Sequence, residues 1–147
     1  ALGLSSVRLT TGRMRRIQWE GITLLDDTYN ANQESMEAAI ETLAEMRIPE
    51  GSKRIIVLGK MGELGTHAEA AHARIGKLAA AKGLLLIAVG EGAEGIAEAG
   101  EAPHFPDIQD AASWLLENSR PGDAILFKGS RTAAIEKVLL TAFPAAC

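Results

Sequence analysis

The chain has 147 residues, 47% of them hydrophobic and 23% charged, with a formal charge of −4. That length suits one domain burying roughly 68–70% of the surface its unfolded form exposes, and a net negative charge gives no basis for a broad nucleic-acid surface. The lone cysteine, Cys147, makes no internal disulfide, and no apolar run approaches the ~18 residues of a membrane span. With no secretory pattern in ALGLSSVRL, a cytoplasmic protein is expected, and the missing initiator methionine points to a fragment.

In chain order, Arg13 to Trp19 and Ile22 to Asp26 flank Glu20-Gly21, the pattern of a hairpin with a tight turn. The first strand alternates poorly and belongs at an edge, whereas ITLLDD is a short apolar run of the kind that enters a sheet covered on both faces. From Gln33, the positions Met36, Ala39, Ile40, Leu43 and Met46 recur at three- and four-residue spacing and predict a helix. Asn32 is its expected N-cap, and Pro49-Glu50-Gly51 its limit.

The strand RIIVLG follows, and then Thr66 and Glu69 in the T-x-x-E pattern of a capping box. The helix it opens is expected to turn Ala70, Ala73, Ile75, Leu78 and Ala79 inward and to end at Gly83. Leu84 to Val89 reads as a strand, Ala93 to Ala99 as a helix of small residues, and His104-Phe105 as a short strand. Asp107 caps a helix to Asn118, with Ala111, Ala112, Leu115 and Leu116 facing the core.

After the turn Pro121-Gly122-Asp123, a last strand (Ala124 to Phe127), the loop Lys128 to Arg131 and a helix from Thr132 to Ala142 complete the chain. The order β-β-α followed by β-α units predicts an α/β, Rossmann-like three-layer domain. Its mostly parallel sheet has about six strands, one antiparallel edge strand and helices on both faces.

Four loops at strand ends carry the chemistry. Asp26-Asp27-Thr28-Tyr29-Asn30-Ala31-Asn32 offers carboxylates for ribose hydroxyls and amides for base edges or phosphates, though the same residues suit a turn and an N-cap. Gly59-Lys60-Met61-Gly62-Glu63-Leu64-Gly65 allows close backbone approach to a ligand but is no Walker A loop, and it equally suits a plain connection needing positive φ. Gly90-Glu91-Gly92-Ala93-Glu94-Gly95 spells G-x-G-x-x-G, yet two glutamates inside it oppose a pyrophosphate, so it is read as structural. Lys128-Gly129-Ser130-Arg131, placed before a helix, suits a carboxylate or phosphate.

His67 and His72 lack the i, i+4 spacing of a metal pair, no G-x-S-x-G is present, and Trp19 and Trp114 are read as packing residues.

Gly12-Arg13-Met14, LLDDTYNANQESMEAAI, VLGKMGELG and LFKGSRTAAIEKV together resemble the C-terminal domain of the Mur ligase family, in its D-alanyl-D-alanine-adding branch. The resemblance covers nearly the whole chain, and the DD-x-Y-N-A-N stretch is its most specific part. It implies one domain, 1–147, of a three-domain cytoplasmic enzyme of peptidoglycan synthesis. ATP and Mg²⁺ activate the carboxylate of a UDP-N-acetylmuramoyl-tripeptide as an acyl phosphate, which the amine of D-Ala-D-Ala attacks. The P-loop would lie in a central domain and the UDP-sugar site in an N-terminal one. This chain would then be a lid, inactive alone.

The resemblance matches Arg13 to an arginine on the nucleotide phosphates and Asp27 to an aspartate on the ribose. Tyr29, Asn30 and Asn32 match residues around adenine, ribose and the reacting phosphate. Lys128, Ser130 and Arg131 match the loop near the peptide carboxylates and the incoming dipeptide. No catalytic or metal-ligating residue is assigned within the chain. Two positions depart from the family pattern: Gln33 stands for a usual proline and Lys60 for a usual aspartate. The competing readings are another Mur-type ligase, a folylpolyglutamate synthetase and a stand-alone Rossmann-like binding module.

Overall fold

The computed structural model describes residues 14–29, 31–62 and 64–144, so Arg13 and Asn30 lie outside the described residues. Its six-stranded sheet runs in the order β1 (Arg15–Trp19), β2 (Ile22–Asp27), β6 (Ala124–Lys128), β3 (Arg54–Leu58), β4 (Leu85–Val89) and β5 (His104–Phe105). Among the described residues, only the β1–β2 pair is antiparallel. Glu20 and Gly21 both take positive φ, 47° and 85°, as the expected tight hairpin turn requires.

Side chains alternate across the sheet, and both faces are covered. Leu25, Ile56, Leu58, Leu86 and Leu126 turn toward α1 (Gln33–Glu45), α2 (Ala68–Ala81) and α3 (Glu94–Gly100). Leu24, Ile55, Val57, Ile87, Ile125 and Phe127 turn toward α4 (Ile108–Asn118) and α5 (Glu136–Ala142). Trp19 packs edge-on to Phe143 at 5.9 Å and Trp114 against Phe105 at 6.3 Å, so both tryptophans are packing residues.

This arrangement fixes where a ligand fits. The helices that follow β2 and β3 pass to one face, while the chain leaving β6, which lies between them, passes to the other. The loops therefore diverge at the carboxyl end of β6 and leave a crevice, the place where open α/β sheets bind ligands.

Four expectations are corrected. The Thr66/Glu69 capping box does not form, because the chain enters α2 through a 3₁₀ turn (Gly65–His67) that puts Thr66 inside helical backbone rather than in the extended conformation of an N-cap. The buried face of α2 is rotated accordingly and centres on Ala71, His72, Ile75, Gly76 and Ala79, with Ala70 exposed. Leu116 points to solvent at 55% exposure, since Ala111, Ala112 and Leu115 already fill the contact of α4.

The last correction concerns the final helix, which is broken. A 3₁₀ turn (Arg131–Ala133) ends at Ala134 in left-handed backbone (φ 55°), and α5 starts only at Glu136. The cations of Lys128 to Arg131 thus lead into a 3₁₀ turn and not into the α-helix expected directly after them.

Candidate functional site

Asn32 caps α1 as expected. Its side-chain oxygen accepts the Ser35 N–H at 2.8 Å, while the Ser35 hydroxyl accepts the Asn32 N–H at 3.1 Å, a reciprocal box. Gln33 takes the first helical position, where proline is also well tolerated, which accounts for that departure from the family pattern.

The two aspartates ending β2 have different fates, because successive strand residues face opposite sides. Both oxygens of Asp26 are occupied: Oδ2 accepts from Arg15 at 3.0 Å across the β1–β2 pair, and Oδ1 from the Thr28 hydroxyl at 2.6 Å. Asp27 is 8% exposed and faces Lys128, its neighbour in the parallel β2–β6 register, which is 3% exposed. Lys128 Nζ donates to Asp27 Oδ2 at 3.0 Å. Among the described residues no donor reaches Asp27 Oδ1, which leaves a carboxylate oxygen at the crevice able to accept a hydroxyl. Burial pushes the Asp27 carboxyl above its ordinary value. The Lys128 ammonium pulls it down without cancelling that effect, and the Asp26 charge adds a smaller upward push.

Three loops are stitched together at this crevice. Gly59 N–H donates to the Lys128 carbonyl at 2.9 Å, Ser130 N–H to the Lys60 carbonyl at 2.8 Å, and Gly62 N–H to the Ala31 carbonyl at 3.3 Å. Gly59 and Gly129 permit this approach: a Cβ on either would come within 2.6 Å of Ile135 Cγ1. Ser130 is buried, and its hydroxyl meets the Thr132 hydroxyl at 3.2 Å.

On the α5 side of the rim lies a pocket of about 540 Å³ lined by Arg15, Asp26, Thr28, Tyr29, Arg131, Glu136, Leu139 and Leu140. The Arg131 guanidinium lies over the Tyr29 ring, 5.2 Å from its centroid, and Tyr29 is 45% exposed. Of the residues singled out from the sequence, the fold thus brings Asp27 and Lys128 into one ion pair and Tyr29 and Arg131 into one stack. Asn32 is placed behind the rim as a cap. Arg15 and Glu136 were not anticipated, since only the β1–β2 register and the break at Ala134 bring them to the pocket.

The G-x-G-x-x-G segment has the bland role expected of it. Gly90 N–H donates to the Phe105 carbonyl at 2.9 Å and Gly92 N–H to the Glu94 carboxylate at 2.9 Å, so the donors a pyrophosphate needs are already engaged. Lys60 lies half-buried beside it, its Cδ 2.8 Å from where a Gly92 Cβ would stand. No helix among the described residues is long and apolar enough to cross a membrane.

A family profile described as "Mur ligase, glutamate ligase domain" matches residues 12–131. The UDP-N-acetylmuramoyl-tripeptide–D-alanyl-D-alanine ligase of Escherichia coli K12 is 40% identical over 142 residues, an alignment covering 93% of this chain and 30% of that protein. The ligase of the same name from Bacillus subtilis is 33% identical over 149 residues, covering 95% of this chain and 32% of its own. Among solved structures, a MurF ligase from Thermotoga maritima in complex with ADP superposes with a TM-score of 0.80 at 30% identity, covering 96% of this chain and 32% of that one. A MurF from Acinetobacter baumannii gives 0.82 at 28% identity, covering 97% and 32%. The chain therefore spans about a third of the length of these relatives.

Proposed function

Because the chain belongs to the Mur ligase family, whose glutamate ligase domain it matches over residues 12–131, we propose that it is the C-terminal lid of an ATP-dependent amide ligase. The full-length cytoplasmic enzyme joins D-alanyl-D-alanine to UDP-N-acetylmuramoyl-tripeptide in peptidoglycan synthesis. The names of the relatives support the reaction, and the ADP complex of a structural neighbour supports the nucleotide.

The observation in the chain itself that carries this reading is Asp27. A buried strand-end carboxylate with one oxygen held by Lys128 and the other open fits a ribose hydroxyl. Asn30 and Tyr29 would border the nucleotide and Arg13 its phosphates, with Asn32 holding the helix behind them. Ser130 and Arg131 would face the peptide. Lys128 would act through Asp27 rather than on the substrate. ATP with Mg²⁺ supplies the phosphoryl group that activates the tripeptide carboxylate, and its phosphate-binding half would be in the central domain.

Closure of the rim over that half would orient the dipeptide amine and exclude water from an acyl phosphate prone to hydrolysis. Positioning rather than acid–base chemistry is the contribution expected of this domain. In the full-length protein Asp27→Ala should raise the KM for ATP or lower kcat by at least about tenfold, the worth of a hydrogen bond to a charged group. Unchanged steady-state kinetics in that variant would sink the assignment.

A further inference from the structure

His72 belongs to none of the loops above, yet it is the side chain that anchors them. It is buried on α2, one turn after the start of that helix. Its Nε2 lies 2.9 Å from the Met61 amide, and its Nδ1 lies 2.6 Å from the Ala68 carbonyl.

A backbone amide only donates and a carbonyl only accepts. Nε2 must therefore be the unprotonated nitrogen and Nδ1–H the donor, which defines one neutral tautomer. The turn that His72 holds is the one to which both ligand loops are tied. The Lys60 carbonyl accepts from Ser130 at 2.8 Å, and Gly62 N–H donates to Ala31 at 3.3 Å. Met61 sits between these two residues.

We propose that His72 is a positioning residue for the ligand rim: its neutral imidazole holds the Met61 amide, and through it the turn that sets the β2 and β6 loops relative to each other. The inference rests on the ligase reading for its kinetic consequence, and on geometry alone for the mechanical one. An imidazole suits this task because it accepts at one end and donates at the other across a rigid ring. An aliphatic residue would fill the site while leaving the Met61 amide buried without an acceptor.

The test uses the full-length protein with His72→Leu and His72→Gln, the latter keeping an acceptor and a donor. In His72→Leu, hydrogen exchange at the Met61 and Ser130 amides should accelerate roughly tenfold relative to β4 and β6, and His72→Gln should return it to within about threefold of wild type. Measured well below the melting temperature, the KM values for ATP and D-Ala-D-Ala should both rise in His72→Leu and recover in His72→Gln.

Unchanged exchange at Met61 and Ser130, or acceleration shared equally by β4 and β6, would make His72 an ordinary core residue and overturn the proposal. Local loosening with unaltered KM values would overturn its kinetic half. Should the wild-type protein lack ligase activity, the functional assignment falls, while the exchange comparison still decides whether His72 holds the turn.

Discussion

Asp27 and Lys128, 101 residues apart in sequence, meet as a buried ion pair at 3.0 Å because the parallel register of β2 and β6 sets them side by side. Apolar side chains would fill such a place with less desolvation cost, so the pair is better explained by the crevice it borders than by stability. Lys128→Met should therefore destabilise the fold by about 3–5 kcal/mol at neutral pH, because it strands the Asp27 charge. The double variant Asp27→Leu/Lys128→Met should be neutral or up to about 4 kcal/mol more stable than wild type while losing ATP affinity. Urea unfolding with nucleotide titration on the full-length protein checks both. A double variant as unstable as the single one would show that the pair stabilises the fold.

The same carboxyl gives a pH signature. Since burial raises its folded-state pKa above the ordinary 3.8, the folded chain holds the Asp27 proton more tightly than the unfolded chain does. Its stabilising contribution is full below that ordinary value and is lost as pH rises through the folded pKa. Glu37 has the opposite sign: hydrogen bonds from Arg74 and Gln33 depress its pKa, so its contribution is present above 4.5 and lost as pH falls. Asp27→Asn removes this dependence but strands the Lys128 ammonium at every pH, so the variant should start less stable and wild type should lose ground to it as pH rises through the folded pKa. Denaturation at several pH values reads this directly, and parallel stability curves for the two proteins would contradict it.

Asn32 separates capping from binding. Its oxygen is engaged by the Ser35 amide, leaving the side-chain NH₂ for any ligand. Asn32→Ala should cost about 1 kcal/mol from loss of the cap, while Asn32→Asp should keep most of that stability. If the NH₂ also contacts nucleotide, Asn32→Asp will still raise the KM for ATP. An Asn32→Asp enzyme with wild-type stability and wild-type KM would confine the residue to capping.

The sheet was legible because its strands are apolar runs bounded by turns, and the candidate loops followed from strand ends meeting helix starts. The α2 cap and the final helix were not legible, since both depend on backbone the sequence pattern does not encode: a 3₁₀ entry at Gly65–His67 and left-handed Ala134. The partnership of Asp27 with Lys128 was hidden for another reason. Placing β6 between β2 and β3 is a tertiary choice, and it makes Lys128 the buried ion-pair partner of Asp27. His72 showed only as a histidine with the wrong spacing for a metal, and its signal was its place on the buried stripe of α2.

Arg131 and Tyr29 come from loops after different strands and meet as a stack over the pocket, with the guanidinium 5.2 Å from the ring centroid. At a site this exposed the contact contributes about 0.5–1 kcal/mol, so neither residue is there mainly for stability. If the ring aims the guanidinium at a substrate carboxylate, Arg131→Gln and Tyr29→Leu will each lower kcat/KM for the peptide substrates by a similar factor. The double variant will then fall little further, because the second change removes an interaction already lost. Tyr29→Phe keeps the aromatic face and should stay near wild type. Losses that multiply in the double variant would show two independent contacts, with Tyr29 acting on the nucleotide and Arg131 on the peptide.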